Sequence, residues 1–285
     1  MVEIFDNIKK IYRFSAPCDE LADFIEFFSE SSVEETARYA ANDRFSVKMF
    51  PSWTPTFWIN LGAPYHLVMG KDCYAIQPED DILLLRDSIV ERHNLPSDYL
   101  FSVKFFPGGL EAIFGFNQAK FINKLVPLKT IMPPSLLQRI KGPRSFQQRM
   151  TLLQDFFLAH YAKQKRRDHY LHLVKDTIQL YEAGNMRYNT SEIAEKMFLT
   201  SKTINRYFNS IVGLSPKKYF SILRARTALT AYVAARDNFL PKVRDTLRPA
   251  VGTTFRPEDY GYYDMSHFYR ATAHFTGEGI AAYGA

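Results

Sequence analysis

The chain has 285 residues, of which 46% are hydrophobic and 23% charged. That is length enough for two ordinary domains, each able to bury a core without staples, and the composition excludes a disordered chain. Cys18 and Cys73 stand far apart with no C-x-x-C or zinc-like spacing, so neither a disulfide framework nor a structural metal is signalled and a reducing, cytoplasmic setting is expected.

The segment MVEIFDNIKKIY lacks the uninterrupted apolar run of an export signal, and no apolar stretch of about 18 residues follows it. The expectation is a protein neither exported nor membrane-spanning. The net charge of +6 is unevenly spread: residues 1–164 carry 18 Lys and Arg against 19 Asp and Glu, whereas residues 165–285 carry 18 against 11. A neutral module joined to a basic one is the footprint of a chain whose second part approaches a polyanion.

In chain order, residues 18–30 read as a helix. From Arg44 to Phe106 the texture changes: RFSVKMF puts Phe45, Val47 and Met49 on one face, TFWINL follows, and YLFSVKFF aligns Phe101, Val103 and Phe105. Alternation with aromatic and β-branched residues, punctuated by prolines, predicts strands and turns. LEAIFGF, SLLQRI and RMTLLQDFFLAHY then predict helices. The basic stretch KQKRRDHY, residues 163–170, reads as a linker. Beyond it the period is helical: a helix ends near Gly184, Asn189 with Glu192 offers a capping-box start, and Ser215-Pro216 offers an N-cap and N1 proline for a long helix to about Arg236.

Within SEIAEKMFLTSKTINRYF, residues 191–208, Ile193, Ala194 and Met197 form one apolar stripe, and Ile204, Tyr207, Phe208 and Ile211 form another. Thr200 or Ser201 is placed to cap the second helix. Its other face carries Lys202, Asn205, Arg206 and Asn209. Arginine bonds bidentately to guanine and asparagine to adenine in the major groove, while lysine and an N-terminal hydroxyl suit phosphate. The same spacing also serves a pair of helices that merely pack.

The longer run A-x-x-M-F-L-T-S-K-T-I-N-R-Y-F-x-x-x-x-G-L-S-P-x-x-Y-x-x-x-x-R, Ala194 to Arg224, resembles the DNA-binding half of AraC-type (AraC/XylS) transcription regulators. G-Y-Y-D-M-S-H-F-Y-R, Gly261 to Arg270, with Phe275, Gly277 and Tyr283, resembles that family's second helix-turn-helix. The resemblance implies two helix-turn-helix units joined by one long helix. It carries DNA contacts onto Thr200, Ser201, Lys202, Thr203, Asn205 and Arg206 in the first unit, and onto Met265, Ser266, Tyr269 and Arg270 in the second. Four features depart from the family pattern: a connection about ten residues longer, through DNFLPKVRDTLRPAVGTT, Pro257 where a helix interior is usual, Thr272 for a buried aromatic, and Ala273 and His274 for basic residues that would face phosphate. The second unit is therefore expected to dock on the backbone and the first to read bases.

The segment 101–131, with F-x-P-G-G at Phe105–Gly109, resembles the β-rich domain that precedes AraC-type halves in a group of regulators. Such domains imply a small-molecule effector, a homodimer, or both; an activator would also meet RNA polymerase. The expected fold class is thus α+β: a β-rich, barrel-like N-terminal domain with flanking helices over 1–162, a linker at 163–170, and an all-α C-terminal domain of two helix-turn-helix units over 171–285. Phe50, Trp53, Phe57, Trp58 and Tyr65 are expected in the core, with a pocket lining as the other reading.

A metal-dependent β-barrel enzyme would need two histidines and a carboxylate around one open site. His66 and His93 lie in the β region, and His169 and His172 on a helix, with no completing ligand pattern. No nucleophile elbow, phosphate loop or dinucleotide fingerprint occurs, so no cofactor and no catalysis are expected. The remaining alternative is an adaptor that binds a protein partner, with weakened DNA binding.

Overall fold

The computed structural model describes residues 2–6, 8–164, 168–239 and 254–283. Among these residues ten strands come first: β1 Tyr12–Ser15, β2 Ile25–Ser31, β3 Phe45–Met49, β4 Thr56–Asn60, β5 Tyr65–Met69, β6 Asp72–Ile76, β7 Ile82–Leu84, β8 Val90–Asn94, β9 Leu100–Phe105 and β10 Leu125–Pro127. They form a six-stranded sheet ordered β1-β2-β9-β4-β7-β10 and a four-stranded sheet ordered β3-β8-β5-β6, with every pairing between them antiparallel. The barrel-like closure expected from sequence is replaced by two separately hydrogen-bonded sheets.

Alternation along the strands builds two cores at once. On β4, Phe57 and Ile59 face helices α2 Gly109–Phe114, α3 Pro134–Lys141 and α4 Phe146–Tyr161, while Trp58 faces the smaller sheet. Phe101, Val103 and Phe105 of β9 and Leu83 of β7 join the helix side; Leu100, Ile82 and Leu84 join Val47, Leu67 and Val90 between the sheets. The five aromatics expected together are all buried but fall into three clusters: Phe57 under the helices, Trp58 and Tyr65 between the sheets, and Phe50 and Trp53 elsewhere.

The helix expected over 18–30 is a single 3₁₀ turn, Asp19–Leu21, followed by β2. Leu21, Ile25 and Phe28 imitate helical spacing because the strand is bulged: its register against β9 slips between Ile25 and Phe27. One short helix, α1 Val33–Tyr39, capped by Ser32, links β2 to β3. The turn after β9 needs Gly109 for space, since a Cβ there would lie 2.1 Å from the Phe24 carbonyl oxygen.

The helical part comprises α5 Asp168–Ala183, α6 Thr190–Lys196, α7 Ser201–Tyr207, α8 Pro216–Phe239 and α9 Met265–Thr276. Of the expected linker, residues 165–167 lie outside the described residues, and from Asp168 the chain is already α5. Most of the long connection before the second unit, residues 240–253, also lies outside them. The third core is shared: Phe5, Phe50, Trp53 and Leu85 from the β-rich part are buried with Ile204, Phe208, Val212, Leu229, Phe268 and Phe275.

Candidate nucleic-acid interface and the cavity behind it

Local chemistry sets the first helix pair. Asn189 caps α6, its Oδ1 accepting from the Ser191 and Glu192 N–H groups while the Glu192 carboxylate accepts from the Asn189 N–H at 2.7 Å, which satisfies orphan donors reciprocally. Thr200 caps α7 by accepting from the Thr203 N–H at 3.1 Å. Ile193 and Ala194 are buried against Ile204 and Phe208, as two crossing helices require. Beyond Tyr207 the backbone widens into a π turn, Phe208–Val212, which Gly213 ends at φ +81°. A side chain at Gly213 would be strained by that φ and would bring its Cβ to 2.9 Å from Ala119 Cα.

The residues assigned to DNA contact are presented unequally. Lys202 and Arg206 are exposed, Ser201, Thr203 and Asn205 half-buried, and Thr200 exposed beside its cap. Asn205 donates its side-chain N–H to the Ser201 carbonyl at 2.8 Å, so part of its amide already serves the helix. Arg206 lies over the Tyr207 ring, 4.9 Å from its centroid, and donates to the Tyr207 hydroxyl at 3.0 Å. Tyr207 in turn stacks on Tyr170 of α5 at 4.5 Å. Arg206 is thereby held along the helix face. Phe198, at φ +55° in the turn between α6 and α7, is 97% exposed, a presentation that its hydrophobicity argued against.

In the second unit Asp264 caps α9 by accepting from the His267 N–H at 2.7 Å, and the His267 Nδ1 accepts from the Tyr263 N–H at 3.2 Å. Ser266, Tyr269 and Arg270 are exposed and Met265 half-buried. Pro257, expected to interrupt a helix, instead occupies the first position of a 3₁₀ turn, Pro257–Tyr260, where no N–H is needed. Thr272 is fully buried with its hydroxyl donating to the Phe268 carbonyl at 2.6 Å. Tyr232, Phe255 and Tyr262 pack around Phe268, one turn before Thr272.

Between the β-rich part and helices α5 and α8 lies a cavity of about 1020 Å³. Phe24, Phe106, Leu171, Ile178, Ile222 and Leu223 give it apolar walls. Lys104 and Arg226 line both it and an adjoining space of about 310 Å³ that runs between the sheets. Lys104 pairs with Glu26 at 3.0 Å, and burial pushes its ammonium below the ordinary lysine value against the pull of that carboxylate. Arg226 pairs with Glu3 at 2.8 Å. Burial alone would raise the Glu3 carboxyl, but the guanidiniums of Arg226 and Arg86 outweigh it and bring it down to about 2. Sequence reasoning missed this chamber. The one available signal was Arg226, a cation between Ala225 and Leu229 on the buried stripe of α8.

His66 and His93 are exposed cross-strand partners on the outer face of the smaller sheet. Among the described residues no group of three or more His, Cys, Asp or Glu side chains is placed to hold a metal ion, and no helix is long and apolar enough to cross a membrane.

No family model and no curated protein matches the chain. Among solved structures it is similar to ToxT from Vibrio cholerae, at 12% identity and TM-score 0.43 over 85% of this chain and 97% of that one. For a ToxT structure described as bound to an unsaturated fatty acid the values are 13%, 0.45, 85% and 93%. The AraC-like transcriptional activator CuxR follows at 10% identity and TM-score 0.27, over 80% of this chain and 89% of that one.

Proposed function

We propose that the protein is an AraC-type, sequence-specific DNA-binding transcription regulator without catalytic activity. Its first helix pair reads bases in the major groove, and its second docks chiefly on the phosphate backbone. The observation that carries this reading is the run Ala194–Arg224, in which two capped helices meet at a turn and lead into one long helix, with Lys202 and Arg206 exposed on the second helix; a 3₁₀ turn, Pro257–Tyr260, and the capped α9 follow. Exposed cations on a helix that enters the groove are what base and phosphate contacts require. Arg206→Ala should cost roughly 1–3 kcal/mol on a selected site and relax preference at one base position. Binding titrations against single-base variants of that site test it. An equal loss on every sequence would reduce Arg206 to a phosphate contact.

The cavity supports a second element of the reading, a small amphipathic effector. Apolar walls suit a hydrocarbon body, and Lys104 and Arg226 at the junction of the two spaces suit a carboxylate head. Decanoate, titrated by calorimetry into the full chain, should bind with micromolar to millimolar affinity, and Lys104→Met should weaken it about ten-fold, the scale of one charge-assisted hydrogen bond. Equal binding by the variant would remove the head group from this position. Dimerisation through the front domain, and contact with RNA polymerase in an activator, follow from the family resemblance; a monomeric mass for the concentrated full chain would count against the first.

A further inference from the structure

We infer that the loop Phe50–Trp53 is a coupling element that presets the two helix-turn-helix units relative to one another, so that DNA affinity depends on its position. The inference rests on the DNA-binding reading above and names how that site is controlled.

Three of four consecutive residues touch both units and the long helix between them. The Phe50 ring packs on Phe275 of the second unit at 5.7 Å and on Tyr283 at 5.8 Å. The Phe50 and Pro51 carbonyls accept from Arg226 of the long helix at 3.3 and 3.1 Å. Ser52 lines the cavity. Trp53, fully buried, donates its indole N–H to the Val212 carbonyl at 2.8 Å, at the end of the first recognition helix. Gln118, also fully buried, donates to the same carbonyl at 2.9 Å, and its own side-chain oxygen accepts from the N–H of Gly108 on the cavity wall at 3.3 Å.

The Val212 carbonyl is available because the π turn and the left-handed Gly213 leave it without a helical partner. Both of its donors come from the β-rich part. The loop itself is fastened to Arg86, whose Nε donates to the Phe50 carbonyl at 3.0 Å while its carbonyl accepts from the Trp53 N–H at 3.3 Å. Trp53 adopts φ +49°, a conformation that a bulky residue keeps only when its surroundings over-determine it. One strained loop, bordered by the cavity, therefore fixes where both units sit. Two linked binding units gain affinity from being held in the bound arrangement, and loosening one of them forfeits that gain.

The test uses the full chain and a duplex of roughly 25 base pairs, two helical turns with flanks, selected by the parent chain from a random library. Trp53→Phe with Gln118→Met removes both donors to Val212 while keeping apolar volume. The pair should weaken binding to the selected duplex about ten-fold, while thermal unfolding and circular dichroism report an intact fold. Affinity within two-fold of the parent, or tighter, overturns the inference. A second measurement is independent of those variants: in Trp58→Phe, Trp53 is the one remaining tryptophan, and its emission should stay at the short wavelength of a buried indole when duplex is added, because the loop already holds the bound arrangement. A shift to longer wavelength at concentrations where labelled duplex is bound also overturns it. If the library yields no retained duplex at low salt, the DNA-binding reading itself has failed, which is a different result from either.

Discussion

DNA binding by the full chain should weaken at least about 100-fold when monovalent salt rises from 50 to 200 mM. Lys196, Lys202 and Arg270 are exposed on α6, α7 and α9, and Arg256 is exposed just before the Pro257–Tyr260 turn. If these four side chains each neutralise a phosphate, counterion release sets a log-log slope near −3.6. Filter retention or fluorescence anisotropy across that range measures it. A response flat within about two-fold would sink the DNA reading and favour the protein-partner alternative. The full chain is the right material, because an isolated helical half would expose the surface now covered by Phe5, Phe50, Trp53 and Leu85.

The second large effect lies at the joint between the halves. Glu3→Gln should destabilise the fold by about 3 kcal/mol at pH 7, since it leaves the Arg86 and Arg226 guanidiniums close together without their carboxylate. Arg86 is buried, and burial already brings its guanidinium down to about 10. The pH dependence has a definite sign. The Glu3 carboxyl is held down to about 2 from an ordinary value of 4.5. Its stabilising contribution is therefore complete above 4.5 and is lost as pH falls through that value towards 2. Urea unfolding at pH 7 and pH 3 should show the gap between parent and variant shrinking from about 3 to about 1 kcal/mol. A gap that does not change with pH would mean that Glu3 acts by packing alone.

Several elements were legible because the signal and its effect lie within a few residues of each other. Asn189 with Glu192, Thr200, and Ser215 before Pro216 all start helices where their types predict. Strand alternation in FSVKMF and LFSVKFF was equally readable. Errors arose where two local rules compete. The spacing of Leu21, Ile25 and Phe28 satisfies a helix and a bulged strand alike, and only pairing with β9 decides between them. Pro257 was read against a helix interior, yet the chain begins a turn there and the missing N–H costs nothing. Among the DNA-contact candidates of the first helix pair, Lys202 and Arg206 are exposed cations, whereas Asn205 is partly occupied by its own helix.

By itself the sequence determined the helix starts, the strand alternation and the polar face of residues 201–206, since backbone hydrogen bonding and side-chain capping act over one turn. It also carried the resemblance on which the functional reading stands. The tertiary structure alone decided that the strands split into two sheets, that Phe57 and Trp58 serve different cores, and that the β-rich part packs against α7, α8 and α9. Trp53 reaches Val212 across 159 residues and Arg226 reaches Glu3 across 223. No propensity or periodicity encodes such contacts, because their energy comes from burying donors and charges that are matched only once the chain has closed.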